Sequence, residues 1–402
     1  EIGSGLVGSE MCIRDRKTGR QLTKRRRRTV DMVKHQILLK LKKDPVLAVS
    51  LVLAVVSAFW VRPSAAYLGY IDWRVLALLA ALMLAVAALG QAGLFDAVTA
   101  ALLRRMRDTR RLAAVLVGVC FFAAMLMTND VALITFVPLT LMLTAQTGTE
   151  RFNIPIIALQ TVAANLGSAM TPLGNPQNLY LYSLSGMGLG EFLRLMAPVT
   201  GLSLVLLSAA VLCLPCRPLG AADIRLNRPD RRGLLLWGAV FAVCLLSVLR
   251  VLHYGIALGA AVLAALLADR RLLRRVDYSL LLTFLFFFVF VGNMKALPTV
   301  SEALSGLVAG REMTVGILLS QVISNVPAAM LLSGFTADYP ALLLGVNLGG
   351  LGTLIASMAS LISYKLYAAA DGARTGKYML FFTAVNVVLL AVLWGAMVII
   401  YK

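Results

Sequence analysis

Histidine is almost missing from this sequence. Two of 402 residues are His, His35 and His253, and five are Cys. Cys213 and Cys216 have C-x-x-C spacing, but no second pair accompanies them. Small residues at a helix end explain them better than a zinc or redox centre, and no metal ligand set is expected. No disulfide framework follows, because every Cys except Cys12 lies within or beside an apolar run. Also lacking are a Gly-x-Ser-Gly nucleophile turn, an H-E-x-x-H pair and a second carboxylate deep in an apolar run. Their absence argues against an intramembrane enzyme. Charge is scarce too: 14% of residues are Asp, Glu, Lys or Arg, against about 25% in a soluble domain. Alternating strand patterning is absent, which argues against an outer-membrane barrel.

Apolar residues fill the space left by charge. They make up 60% of the chain, and the mean hydropathy is +0.85. Runs near 20 residues recur, for example 46–61, 75–92, 192–214 and 378–401, as a bilayer core about 30 Å thick demands of a helix. The expected fold class is an all-α polytopic membrane protein. The net charge of +19 would suit nucleic acid if it formed one patch, but it is dispersed. Thirteen of the 38 Lys and Arg fall in the first 45 residues, including Lys24 to Arg28, and the rest form short clusters between apolar spans. That distribution follows the positive-inside rule, so no nucleic-acid partner is expected.

Residues 1–45 read as a basic cytoplasmic leader. Within it, Gly5 to Arg16 (GLVGSEMCIRDR) resembles translated sequencing-adapter read-through. Residues 1–31 are therefore left out of the fold reading, with Met32 as the expected start.

About nine membrane helices are expected, at 46–61, 74–92, 154–184, 192–214, 233–251, 255–269, 278–294, 340–366 and 378–401. Two further apolar segments, 112–146 and 313–337, are interrupted by polar tips. If each is a re-entrant hairpin, the basic residues sort cleanly. Eighteen lie in predicted cytoplasmic loops and seven outside, and the leader adds 13 to the cytoplasmic side. A full crossing by either segment would swap the sides of the loops after it. The layout is then a first repeat over 46–214, a cytoplasmic loop and linking helix over 215–254, and a second, inverted repeat over 255–402. The protein is expected as a multi-pass protein of the bacterial cytoplasmic membrane with its N-terminus cytoplasmic.

The two tips carry candidate chemistry. The first reads Thr128-Asn129-Asp130 and the second Ser324-Asn325-Val326. Non-helical backbone at membrane depth survives only where protein or a water-filled cavity covers it. An ionised Asp there costs on the order of 3 kcal/mol on insertion scales, which marks Asp130 as a functional candidate. The competing reading is a tight helix pair with Asp130 in a solvated turn. After each tip comes a segment broken in its middle. The first holds Asn165, Gly167, Thr171, Asn175 and Asn178, and the second holds Asn347, Gly349, Thr353 and Ser357. Gly and Pro at this density unwind a helix. Unwinding frees carbonyls that can ligate Na⁺ and half-helix N-termini that suit an anion. A kinked helix with packing glycines is the plainer alternative. Aligning Asn165 with Asn347 also pairs Leu166 with Leu348, Gly167 with Gly349 and Thr171 with Thr353, as an internal repeat would.

The motifs TNDVALITFVPL, ANLGSAMTPLGNPQN, SNVPAAMLLSGF and GVNLGGLGTLIAS resemble those of the citrate-transporter-like permeases of the ion transporter superfamily, over about residues 40–400. That group includes divalent anion/sodium symporters, arsenite permeases and Na⁺/H⁺ antiporters. The resemblance implies that Thr128, Asn129, Asp130, Asn165, Thr171 and Asn175 line one half-site. Ser324, Asn325, Asn347 and Thr353 would line the other, with Na⁺ near Asn129, Asp130, Asn165, Asn325 and Asn347. Dicarboxylate symporters show Ser-Asn-Thr at both tips; the Asn-Asp here is closer to arsenite permeases. The expected activity is secondary active transport of a small inorganic or organic anion by alternating access. Na⁺ or H⁺ would be the coupling ion, Asp130 would act in coupling, and no other cofactor is expected. The alternatives are a Na⁺/H⁺ antiporter, an arsenite-type efflux permease and a passive ion channel. The expected partners are a small anionic substrate and the lipid bilayer, with a homodimer as one assembly open to the chain.

Overall fold

The computed structural model describes residues 44–103, 108–220 and 229–401. Nearly all of the basic leader, with Cys12 and His35, lies outside the described residues. So do Arg104, Arg105, Arg107, Arg225, Arg228 and Lys402.

The described residues form α-helices and no β-strand. In chain order α1 is Pro45–Ser57, α2 Ala66–Tyr70, α3 Trp73–Gln91, α4 Leu94–Leu103, α5 Thr109–Ala123 and α6 Asn129–Thr147. Then come α7 Asn153–Gly167, α8 Pro176–Ser185, α9 Leu189–Leu212, α10 Arg231–Val248, α11 Tyr254–Ala268 and α12 Tyr278–Lys295. The last six are α13 Pro298–Val308, α14 Glu312–Ile323, α15 Asn325–Leu332, α16 Tyr339–Leu348, α17 Met358–Ala368 and α18 Thr375–Ile400.

Scarce acidic residues are spent mostly on helix starts. Asp44, Asp72, Asp108, Asp230, Asp277 and Asp338 each sit at an N-cap, where the carboxylate accepts a backbone N–H of the first turn. Such a cap satisfies a donor the helix cannot, and typically contributes about 1 kcal/mol. Asp130 differs: it lies in the first turn of α6, inside the helix rather than at its cap.

Among the described residues six helices, α3, α6, α9, α10, α12 and α18, are long and apolar enough to cross a bilayer. A seventh span is possible by length if α13 and α14, bent by 106°, count as one. The expected count of about nine loses four segments for two reasons, and it gains α6, which was expected as one arm of a re-entrant hairpin yet is long and apolar enough to span. The 46–61 and 255–269 segments form helices of 13 and 15 residues, about 20–23 Å at 1.5 Å per residue, short of the hydrocarbon core. The 154–184 and 340–366 segments are each divided at the glycine-rich break. Outward-facing Leu235, Leu267, Leu380 and Ile399 are 75–80% exposed, an apolar exterior that water would not tolerate and lipid covers. The chain is a multi-pass membrane protein.

Hydrogen bonds recur at matched places in the two halves. Asn129 N donates to Gly174 O at 3.2 Å, and Asn325 N to Ala356 O at 2.9 Å. Thr171 Oγ1 donates to Met125 O, and Thr353 Oγ1 to Gln321 O at 3.2 Å. Matched helices α3 and α12 run in opposite senses. The end of α3 meets the segment before α12 through Gln91 Nε2 and Asp269 (3.2 Å). The end of α12 meets the segment before α3 through Asn293 Nδ2 and the Tyr67 hydroxyl (2.9 Å). The halves also exchange their leading helices: α1 packs on α12, while α11 packs on α3.

Each interrupted segment folds back on itself. Thr109 N, opening α5, donates to Arg217 O at 2.9 Å, and Gly220 lies against the Thr147 backbone at the end of α6. Both arms of that hairpin therefore finish against the 215–220 stretch. In the second, Thr336 Oγ1 donates to Glu312 Oε1 at 3.0 Å and joins the start of α14 to the segment after α15.

Candidate functional site

Four helix N-termini among the described residues converge between the hairpin tips: those of α6, α8, α15 and α17. Their N-cap residues, Thr128, Asn175, Ser324 and Ser357, make no side-chain capping bond. A helix leaves its first N–H groups without intrahelical partners. Asn129 N and Asn325 N are taken by carbonyls of the breaks and Asp130 N by Asn129 Oδ1. Pro176 has no N–H, so what the four starts share is the partial positive charge of the helix end. Here they face a cavity of about 30 Å³, room for one water or ion. Of the residues expected at the site, Asn129, Asp130, Asn175, Ser324, Asn325 and Ser357 line it.

The remaining expected residues build its frame. Asn165 is wholly engaged: its amide donates to Gly350 O (3.3 Å) and Ser360 Oγ (3.2 Å). Its oxygen accepts from Asn129 Nδ2 (2.8 Å) and Ser357 Oγ (3.0 Å). It ties both halves together and leaves nothing for Na⁺. Asn347 Nδ2 donates to Asn178 Oδ1 at 2.7 Å, the matching cross-half bond, while its Oδ1 is buried without a partner. Asn178 Nδ2 donates in turn to Ser168 O (3.1 Å) and Thr171 O (3.2 Å), bracing the break. Thr171 and Thr353 are tethers to the first hairpin arms, as given above, and Thr353 is exposed. Gly167 and Gly349 permit close packing: a Cβ on either would strike the Phe121 backbone or the Ser320 side chain. Thr128 is half-buried and does not face the cavity.

Three lining or bracing residues escaped the sequence reading. Gln177 is fully buried on the cavity wall, and neither its amide oxygen nor its nitrogen has a partner. The Asn175-Pro176 pair was the signal. Pro favours the first helical position, which puts Gln177 in the first turn at the cavity. Asp44, the N-cap of α1, also reaches the wall, carried there by the packing of α1 on α12. Gln321 closes the second break, its Nε2 donating to Gly349 O (3.0 Å) and Leu351 O (2.9 Å).

Two further features mark the place. Ser324 has φ of +76°, a conformation that costs a non-glycine residue about 1–3 kcal/mol and that tertiary structure must hold. Asp130 Oδ1 is buried without a partner. Buried polar atoms are nearly always hydrogen-bonded, so Asp130 Oδ1 and the Gln177 amide are the side-chain groups on this cavity with bonding capacity to spare. The two halves differ in this: the tip position matching Asp130 holds Val326.

The sequence profile of the citrate transporter family matches residues 37–341. The chain belongs to the citrate transporter family. It is 33% identical over 307 residues to the inner membrane protein YbiR of Escherichia coli K12, covering 74% of this chain and 80% of that one. It is 31% identical over 315 residues to the uncharacterized transporter MJ0456 of Methanocaldococcus jannaschii, covering 77% and 85%. A shorter match, 26% over 127 residues, joins it to a putative transporter arsB of Dictyostelium discoideum, covering 31% and 22%. The resemblance read from the tip and break motifs is thus borne out at family level. The family is named for transport, and of these relatives MJ0456 and arsB carry transporter in their names while YbiR is named as an inner membrane protein.

Proposed function

We propose that the chain is a secondary active transporter of a small inorganic or organic anion, working by alternating access and coupled to Na⁺ or H⁺. One observation carries the reading: four helix N-termini whose N-cap side chains make no capping bond face a cavity walled by two carboxylates, Asp44 and Asp130. Among the described residues no Lys, Arg or His lines it. Each N-terminus acts as about +0.5 charge, so together they roughly balance the two acids. At net zero an anion gains no Coulombic attraction there to offset its desolvation, whereas a cation or proton on Asp130 leaves about +1 from the helix termini and makes the cavity a site for it. Obligatory neutralisation is what couples the two fluxes. A cavity of about 30 Å³ holds no substrate of several heavy atoms, so a larger anion binds only after the hairpins part. Basic loops gather near the start of α10 and before α12, which supports a cytoplasmic location for that end and for the N-terminus.

Reconstituted vesicles test the reading. Labelled citrate and labelled phosphate are offered with an imposed Na⁺ or pH gradient, and counterflow is followed. Gradient-driven accumulation with counterflow is expected for at least one anion, whereas flux without counterflow indicates a channel. The two carboxylates without a basic side chain also favour a second reading, a Na⁺/H⁺ antiporter. It is recognised by Na⁺-dependent collapse of a pH gradient with no anion present.

A further inference from the structure

We propose that a groove between α5 and α9 binds one anionic phospholipid, with the headgroup phosphate at Arg110 and Arg111 and an acyl chain over Gly118. The groove has a volume of about 420 Å³ and is walled by Ala114, Gly118 and Phe121 of α5 and by apolar residues of α9. Its charge lies at one end. Arg110 Nε donates to Leu214 O at 3.0 Å, which holds the guanidinium across the mouth. Arg111 pairs with Asp108 at 3.3 Å yet stays 60% exposed. Arg217, whose N–H donates to Thr109 Oγ1 at 3.1 Å, adds a third basic residue nearby. Asp108 offsets one of the three, leaving the mouth positive.

Depth fits the same ligand. From Arg110 to Phe121 the helix climbs about 16 Å at 1.5 Å per residue, about one leaflet of a hydrocarbon core near 30 Å. Guanidinium groups therefore sit at headgroup level when the apolar wall lies at acyl level, and guanidinium suits phosphate oxygens. A Cβ on Gly118 would meet nothing within 4 Å, so the glycine leaves the wall open rather than serving a helix contact. A second apolar trough, about 730 Å³, adjoins it along Ala114 and Gly118. Two chains of a diacyl lipid thus have a channel on each side of α5. Because α5 is the first arm of the tip-bearing hairpin, the lipid would hold that arm against α9.

The full chain in detergent micelles is titrated with phosphatidylglycerol, phosphatidylcholine or inorganic phosphate, while the thermal midpoint and bound lipid by native mass spectrometry are recorded. Phosphatidylglycerol is expected to raise the midpoint and to bind, and the other two are not. Arg110→Ala with Arg111→Ala should raise the lipid concentration needed about thirtyfold, from two surface basic residues facing an anionic lipid. The Lys pair should retain binding. Gly118→Leu fills the trough without touching charge and should abolish the shift, which decides the matter if the alanine pair does not fold. An equal phosphatidylglycerol response in the parent and Gly118→Leu overturns the proposal. So does a shift that inorganic phosphate reproduces.

Discussion

Asn165 and Asn347 occupy matched positions, yet their removal should cost very different amounts. Asn165 makes four hydrogen bonds and is 3% exposed. At about 0.5–1.5 kcal/mol net for each, Asn165→Ala should destabilise by roughly 2–6 kcal/mol. Leaving Asn129 Nδ2 and Ser357 Oγ without their acceptor pushes the value to the upper half of that range. Asn347 makes two bonds, to Asn178 Oδ1 and Leu343 O (2.8 Å), and its oxygen is already orphaned. Asn347→Ala should therefore cost about 1–3 kcal/mol, less whatever is regained by deleting an unsatisfied acceptor. Against a total stability of about 5–15 kcal/mol the gap is large. Unfolding by SDS in mixed micelles, followed by tryptophan fluorescence, measures both variants under one condition. Equal losses would refute the claim that the pseudo-symmetric pair has divided into a structural hub and a half-empty partner.

Three other outcomes are expected. Asp130→Asn, nearly isosteric, should fold and exchange labelled anion while losing its response to a Na⁺ or pH gradient, as read by vesicle uptake; undiminished accumulation removes Asp130 from coupling. Gln177→Leu should keep or raise the thermal midpoint, since it deletes two unpartnered polar atoms, yet weaken substrate binding about tenfold or more. A variant that is less stable but transports normally would make Gln177 a structural residue. Cysteines placed at Arg111 and Glu150 in a Cys-less background should react from the same membrane face, and labelling from opposite faces would mean that 112–146 crosses fully.

Much of the architecture was legible because lipid removes choices: helix is the only open-chain answer for an apolar run in a bilayer. The tips at Asn129 and Asn325 and the breaks after Asn165 and Asn347 were readable from polar and glycine-rich interruptions. Helix length was less readable, because apolar sequence continues past the point where backbone geometry changes, as in Ala58 to Val61 beyond Ser57. Within the site, residue type misled in a consistent way. The asparagines that looked most like ligands, Asn165 and Asn178, are spent on holding the breaks. Gln177 and Asp44, which read as ordinary neighbours of a turn and a helix start, face the cavity. Asp44 could not have been found locally, since it reaches the wall only through the packing of α1 on a helix of the other half.

That exchange of leading helices also sets a timetable for biosynthesis. Helix α1 emerges early, but its partner α12 is made on the order of 200 residues later, about 10–40 s at bacterial or eukaryotic elongation rates. Through that interval α1 must wait in lipid or against the insertion machinery. The cavity wall that Asp44 completes closes only once the second half has been made. A break in the chain between the halves would leave two fragments that must find each other in the plane of the membrane.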